Sequence, residues 1–97
     1  MADGLHLAID DAGVHVVRGE LDAHSADAFE AATATASGAV SMDLGGVAFA
    51  DSSGLRVLLA LHRRLEEDGG ELRIVSASDR VQRLLGLTGL DQVLRID

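Results

Sequence analysis

The sequence predicts a single α/β domain in which helices pack against one mixed β-sheet. Its 97 residues are enough for one compact domain and too few for two, and 47% of them are apolar. Apolar strand patterns also alternate with helix patterns along the chain, which favours parallel strands joined by right-handed crossovers. The expected order is β-β-α-β-α-β-α-β, and the expected domain spans residues 1–97.

The first third of the chain predicts a hairpin and a helix. Apolar residues cluster at 5–9 and 14–19 on either side of an Asp-Asp-Ala-Gly turn, which is typical of two antiparallel strands. The alanine-rich segment 25–36 carries acidic residues in its first turn, which predicts a helix with Ser25 as its N-cap. Gly38 ends this helix.

Strand and helix patterns alternate through the remainder. The three expected strands span 39–44, 71–77 and 93–96. A short helix lies between the last two of them, capped by Ser78 or Asp79 and ending near Gly86.

The helix with the clearest pattern begins at residues 51–54 and is stopped by Gly69-Gly70. Its expected apolar face consists of Leu55, Leu58, Leu59, His62 and Leu65. Its expected outer face consists of Arg56, Arg63, Arg64, Glu66 and Glu67. The core expected from all elements is Leu44, Val47, Leu55, Leu58, Leu59, Leu65, Ile74, Val75, Leu84 and Leu85.

Composition excludes several classes of function. The chain has no Cys, which rules out disulfides and thiol nucleophiles. Its formal charge is −8, every basic residue is Arg and both aromatic residues are Phe, so nucleic acid is not an expected partner. The acidic start and the lack of an apolar run near ~20 residues predict a cytoplasmic protein without membrane insertion. The four histidines lack metal-ligand spacing, so no metal is expected. Neither glycine pair is followed by the Gly-Lys-Ser/Thr ending of a phosphate loop, and no other cofactor is expected.

The segment Asp51-Ser52-Ser53-Gly54 joins an apolar run to the longest helix pattern, where α/β proteins usually place their working surface. Capping of the helix is the commoner role for such serines, and regulatory modification is the alternative. A hydrolase elbow would need glycines two residues before and after the serine, with a later acid and histidine. Only His62 follows, on the apolar face of the helix, so a small hydrolase is a weak third hypothesis.

Three segments together resemble the STAS family, and within it the bacterial anti-sigma factor antagonists. They are GELDAHSADAF (19–29), MDLGGVAFADSSGLRVLLALHRRLEEDGGELRIV (42–75) and VQRLLGLTGLDQVLRI (81–96). The resemblance covers nearly the whole chain in order. Members of the family commonly add a helix after the last strand, whereas this sequence stops at Asp97. If the protein has no such helix, one face or edge of the sheet is left more open.

The resemblance implies a protein that switches partners. Its unmodified form would bind an anti-sigma factor with serine kinase activity and so release the sigma factor. Phosphorylation of the serine after the motif aspartate, here Ser52, would abolish that binding, and a serine phosphatase would reverse it. The partner-binding residues predicted for this function are Asp22, His24, Asp51, Ser52, Ser53, Gly54 and Arg56. The alternative is a constitutive STAS scaffold in a transporter-associated or other signalling complex, and the sequence does not set the oligomeric state.

Overall fold

The order of elements agrees with the sequence-based prediction, with one 3-10 turn added before the last strand. The structure, a computed structural model, describes residues 4–96. Its strands are β1 (Leu5–Ile9), β2 (His15–Leu21), β3 (Ala39–Ala50), β4 (Glu71–Ala77) and β5 (Arg95–Ile96). Its helices are α1 (Ala26–Thr33), α2 (Ser52–Glu67) and α3 (Asp79–Thr88), and the 3-10 turn is Leu90–Gln92. The predicted α/β fold with a mixed sheet is therefore confirmed.

The sheet has five strands in the order of the chain. The strands β1 and β2 form the predicted antiparallel hairpin, and each later strand lies parallel to the one before it. Burial alternates along the strands, as a sheet with one covered face requires. The buried residues of alternate strand positions and of all three helices form one apolar cluster.

Strand β3 is twice as long as the expected strand 39–44, because Gly45-Gly46 continue the strand instead of ending it. At two places β3 carries one extra residue relative to β2, which is the signature of a β-bulge. Each bulge shifts the side-chain alternation by one position. The spacing of the buried residues accordingly changes from two to three along Val40, Met42, Leu44, Val47 and Ala50. These bulges bring the end of β3 to the start of α2 with Ala50 facing the core.

Helix α1 is shorter than the predicted segment 25–36, and a side chain of α2 forms hydrogen bonds at its carboxyl end. The two terminal nitrogens of Arg64 donate hydrogen bonds to the carbonyl oxygens of Ala36 and Thr33, at 2.9 and 3.0 Å. A cation at the carboxyl end of a helix satisfies carbonyl groups that the helix leaves open. The expectation that Arg64 lies on the outer face of α2 was therefore wrong.

The boundaries of α3 also differ from the prediction. Ser78 is the N-cap, as expected: its hydroxyl accepts from the Val81 amide at 3.3 Å and donates to the Val47 carbonyl at 2.7 Å. The helix passes through Gly86 and ends at Thr88, and the C-cap residue Gly89 has a φ of +77°, which only glycine adopts readily. The 3-10 turn that follows shortens the expected strand 93–96 to Arg95–Ile96.

Seven of the ten expected core residues are buried, whereas Leu59, Val75 and Leu84 are only half-buried. Val75 alternates to the side of β4 opposite its buried neighbours. Val57 and Leu61 were not predicted as core residues, but both are buried on α2 and border a cavity between α2 and α1. The apolar stripe of α2 is thus rotated toward α1, because α2 packs against that helix as well as against the sheet.

The difference between Leu58 and Leu59 provides a test of this packing. Leu58 is 0% exposed, so Leu58→Ala should lower the free energy of unfolding by ~2–5 kcal/mol. Leu59→Ala should cost clearly less because Leu59 is half-buried. Chemical denaturation of both variants measures the two losses. An equal or larger loss for Leu59→Ala would contradict the orientation of α2.

Candidate partner-binding site at the start of the second helix

Asp51 is the N-cap of α2. Its backbone is extended, its Oδ1 accepts a hydrogen bond from the Ser53 amide at 2.8 Å, and its carbonyl accepts from the Leu55 amide at 3.2 Å. A carboxylate in this position satisfies open first-turn amides and interacts favourably with the positive end of the helix. Capping, the commoner role considered for the serines, is therefore performed by the aspartate.

Ser52 is the first residue of α2, and its side chain is exposed. Within residues 4–96 its hydroxyl makes no hydrogen bond, and neither does the hydroxyl of Ser53, which is half-buried. The two adjacent serines thus differ in accessibility. Ser52 presents a free hydroxyl to solvent at the junction of strand and helix.

Gly54 lies directly against the last residue of β2. A Cβ built on Gly54 would come within 2.7 Å of both the Cβ and the carbonyl oxygen of Leu21, which is closer than real side chains approach. The Leu21 carbonyl also accepts a hydrogen bond from the Asp51 amide at 3.0 Å. Leu55 follows as a buried anchor, as expected. The absence of a side chain at Gly54 therefore allows the first turn of α2 to contact the end of β2.

The loop that follows Leu21 is organised by Asp22 and Ser25. The Oδ1 of Asp22 accepts from the amides of His24 and Ser25 at 3.0 and 3.1 Å. The Ser25 hydroxyl, on a residue only 1% exposed, donates to the Glu20 carbonyl at 2.7 Å and accepts from the Asp22 amide at 3.0 Å. Ser25 is the N-cap residue of α1, as expected, but its hydroxyl makes no capping hydrogen bond because it is bonded to the preceding loop.

The loop, the turn and α2 share one surface. A shallow cavity of about 300 Å³ is bordered by Ala23 from the loop, by Ser53 and Arg56 from α2, and by Asp27 and Glu30 from α1. Arg56 and His24 are exposed, and Asp22 and Asp51 are half-buried. The structure therefore places Asp51 and Gly54 against the end of β2, next to Asp22, and places Ser53 and Arg56 at a cavity that the loop also borders. His24 and Ser52 adjoin these residues along the chain but do not border that cavity. That they bind a partner stays a prediction.

His62 lies away from this surface. His62 is ten residues after Ser52 on α2, which corresponds to ~15 Å along the helix axis. Its side chain is 12% exposed. Its Nε2 is 4.0 Å from Glu66. Within the described chain, no three His, Asp or Glu side chains form a group that could hold a metal ion. No helix in residues 4–96 is long and apolar enough to cross a membrane.

Comparison with known proteins agrees with this fold and motif. The STAS domain model matches residues 7–97 of the chain. The chain belongs to the STAS domain family. This confirms the resemblance on which the expected site residues were based.

Relatives of this STAS domain include anti-sigma factor antagonists. The chain is 34% identical to the anti-sigma F factor antagonist of Paenibacillus polymyxa, over 87% of this chain and 78% of that protein. It is 33% identical to the anti-sigma-B factor antagonist of Listeria monocytogenes, over 82% and 74% of the two chains. The crystal structure of an anti-sigma factor antagonist from Mycobacterium paratuberculosis superposes with a TM-score of 0.73 at 33% identity, covering 95% of this chain and 82% of that chain.

Leu21 was not among the residues predicted for this site. The predicted second strand ended at residue 19, although Val17 and Leu21 fit the alternation of a strand that continues. A bulge between Gly19 and Glu20 in the pairing with β3 lies just before Leu21. The apolar residue immediately before Asp22 was the signal available in the sequence.

The contact between Gly54 and Leu21 predicts that this STAS domain does not tolerate a methyl group at position 54. Gly54→Ala should lower the free energy of unfolding by at least ~1–3 kcal/mol, because backbone atoms of β2 would have to move. Gly86→Ala is the matched control: its Cβ would meet only Asp91 Oδ2 at 3.9 Å, and alanine favours a helix interior by ~0.5–1 kcal/mol. Chemical denaturation should show a lower free energy of unfolding for Gly54→Ala and a higher one for Gly86→Ala. An unchanged free energy of unfolding for Gly54→Ala would contradict the close contact between Gly54 and Leu21.

Proposed function

We propose that this protein is an anti-sigma factor antagonist controlled by phosphorylation of Ser52. In its unphosphorylated form it binds an anti-sigma factor that has serine kinase activity, and the sigma factor is released. Phosphorylation of Ser52 abolishes this binding. The observation that carries the proposal is the exposed hydroxyl of Ser52, which has no hydrogen-bond partner within residues 4–96 and lies on the first residue of α2. Relatives 34% and 33% identical that are named anti-sigma factor antagonists support it.

The geometry favours Ser52 over Ser53 as the acceptor of the phosphoryl group. A kinase must bring the γ-phosphate in line with the hydroxyl oxygen, which requires free access from solvent. Ser52 is exposed, whereas Ser53 is half-buried and its amide is bound to the Asp51 carboxylate. Because Asp51 caps α2, the Ser52 hydroxyl can be modified without removing the cap.

A phosphate on Ser52 would alter the surface in charge and in bulk. It adds about −1.5 to −2 charges next to the Asp51 carboxylate, on a protein whose formal charge is already −8. A partner that covers the first turn of α2 would have to desolvate that group or remain separated from the surface. A loss of ~3 kcal/mol in binding free energy lowers the affinity more than a hundredfold, enough to exchange partners.

The partner proteins catalyse both the phosphorylation of Ser52 and its reversal. The anti-sigma factor supplies the kinase activity, and a serine phosphatase restores the free hydroxyl. The antagonist acts in the cytoplasm as a binding protein, with neither nucleic acid nor a cofactor taking part. Its surface combines the loop 22–25, the turn 51–54 and the exposed Arg56 of α2.

Substitutions at the two serines should separate modification from binding. Ser52→Ala should bind the anti-sigma factor and accept no phosphate, whereas Ser52→Glu should bind weakly because it adds a negative charge at the contact. Ser53→Ala is the matched control and should still be phosphorylated, with at most a modest loss of helix stability. Calorimetry measures the affinities, and mass spectrometry after incubation with the kinase and ATP locates the phosphate.

Two results would overturn this proposal. Phosphate found on Ser53 in place of Ser52 would move the switch to the other serine. The other result has two parts: Ser52→Glu binds the anti-sigma factor as tightly as the unsubstituted protein does, and the complex of the unsubstituted protein persists after incubation with the kinase and ATP. Together these would favour a constitutive STAS scaffold.

We further propose that the protein has no hydrolytic activity of its own. A nucleophilic serine needs a base within hydrogen-bond reach, and the Ser52 hydroxyl has no such partner among the described residues. The purified protein should therefore release no product from ester or nucleotide substrates beyond a heat-inactivated sample. Turnover that disappears in Ser52→Ala would contradict the assignment as a binding protein.

A further inference from the structure

Arg56 lies one helical turn beyond Ser52 on α2, and both side chains are exposed. We propose that Arg56 binds the phosphate of phosphorylated Ser52. Before modification Arg56 is available to contact the partner, and after modification its guanidinium is bound to the phosphate of the same chain. This inference rests on the proposed function, because it assumes that Ser52 is the modified residue. It adds a specific residue that recognises the modified state.

The spacing of the two residues places them side by side. Residues four apart on a helix have their Cβ atoms ~5–6 Å apart, and an acidic group N-terminal to a basic group at this spacing is the more favourable arrangement. Ser52 is the first residue of α2, so its phosphate would be the N-terminal member of such a pair. The flexible arginine side chain can span this distance.

The guanidinium of Arg56 is available for this contact. Among residues 4–96 it forms no ion pair, although Asp27 and Glu30 of α1 border the same cavity. By contrast, Arg64 is committed to the carbonyl groups at the end of α1. A guanidinium can donate two parallel hydrogen bonds to a phosphate, which makes it the most suitable side chain for this role.

The charged groups around Ser52 have opposite effects on the second pKa of a phosphate at that residue. The carboxylate of Asp51 lies immediately before it, and Asp27 and Glu30 border the adjoining cavity. These acidic groups disfavour the dianionic phosphate and raise its second pKa, whereas Arg56 favours the dianion and lowers that pKa. Removal of Arg56 should therefore raise the second pKa of the phosphoserine.

The test uses full-length protein carrying phosphoserine at position 52, incorporated during translation so that no kinase is needed. The second pKa of the phosphate is measured by ³¹P NMR titration in the otherwise unsubstituted protein, in Arg56→Gln and in Arg63→Gln. We expect Arg56→Gln to raise this pKa by about 0.3–0.6 pH units, consistent with an exposed helix pair. Arg63→Gln removes the same charge from an exposed residue almost two turns further along α2, and should leave the pKa within about 0.1 pH units.

Equal pKa values in the unsubstituted protein and in Arg56→Gln would overturn the inference. An equally large rise in Arg63→Gln would also overturn it, because the effect would then come from net charge and not from a specific contact. The proposed function is tested separately with the same sample: if the protein phosphorylated at Ser52 binds the anti-sigma factor as tightly as the unmodified protein, the proposed switch fails whatever the titration shows.

Discussion

The contact between the end of β2 and the first turn of α2 determines the geometry of the candidate site. Leu21 contributes a buried side chain and a carbonyl that accepts the Asp51 amide, and Gly54 has no side chain to separate the two elements. Because the chain continues from Leu21 directly into the loop 22–25, this contact also fixes that loop next to the turn 51–54. The pairing of Leu21 with Ala50 in the sheet brings the two segments to the same edge, and the contact at Gly54 sets how closely they approach.

Strand β3 contacts the start of both α2 and α3 at this end of the sheet. Its last residue leads into Asp51 and α2, and its Val47 carbonyl accepts the hydroxyl of Ser78, the N-cap of α3. The guanidinium of Arg80 also lies 4.7 Å from the centre of the Phe49 ring, close enough for a cation–π contact. Neither contact involves the side chain of Ser52, so a modification of that exposed residue would leave both in place.

Much of this architecture could be predicted from the sequence, because hydrophobic periodicity and turn residues act locally. The strands at 5–9 and 71–77, the cap at Ser78 and the motif 51–54 were all apparent. The errors arose where tertiary contacts decide the outcome. Packing against α1 rotates the apolar face of α2 toward Val57 and Leu61, and bulges carry β3 beyond residue 44. Sequence periodicity contains no information about which neighbour a helix face meets.

The central claim is that the surface around Ser52 binds an anti-sigma factor only while the hydroxyl is free. The most direct measurement is the dissociation constant of that complex, determined by calorimetry for the unmodified protein and for the protein carrying phosphoserine at position 52. The account predicts an affinity at least about a hundredfold lower for the phosphorylated protein. Equal affinities would contradict it.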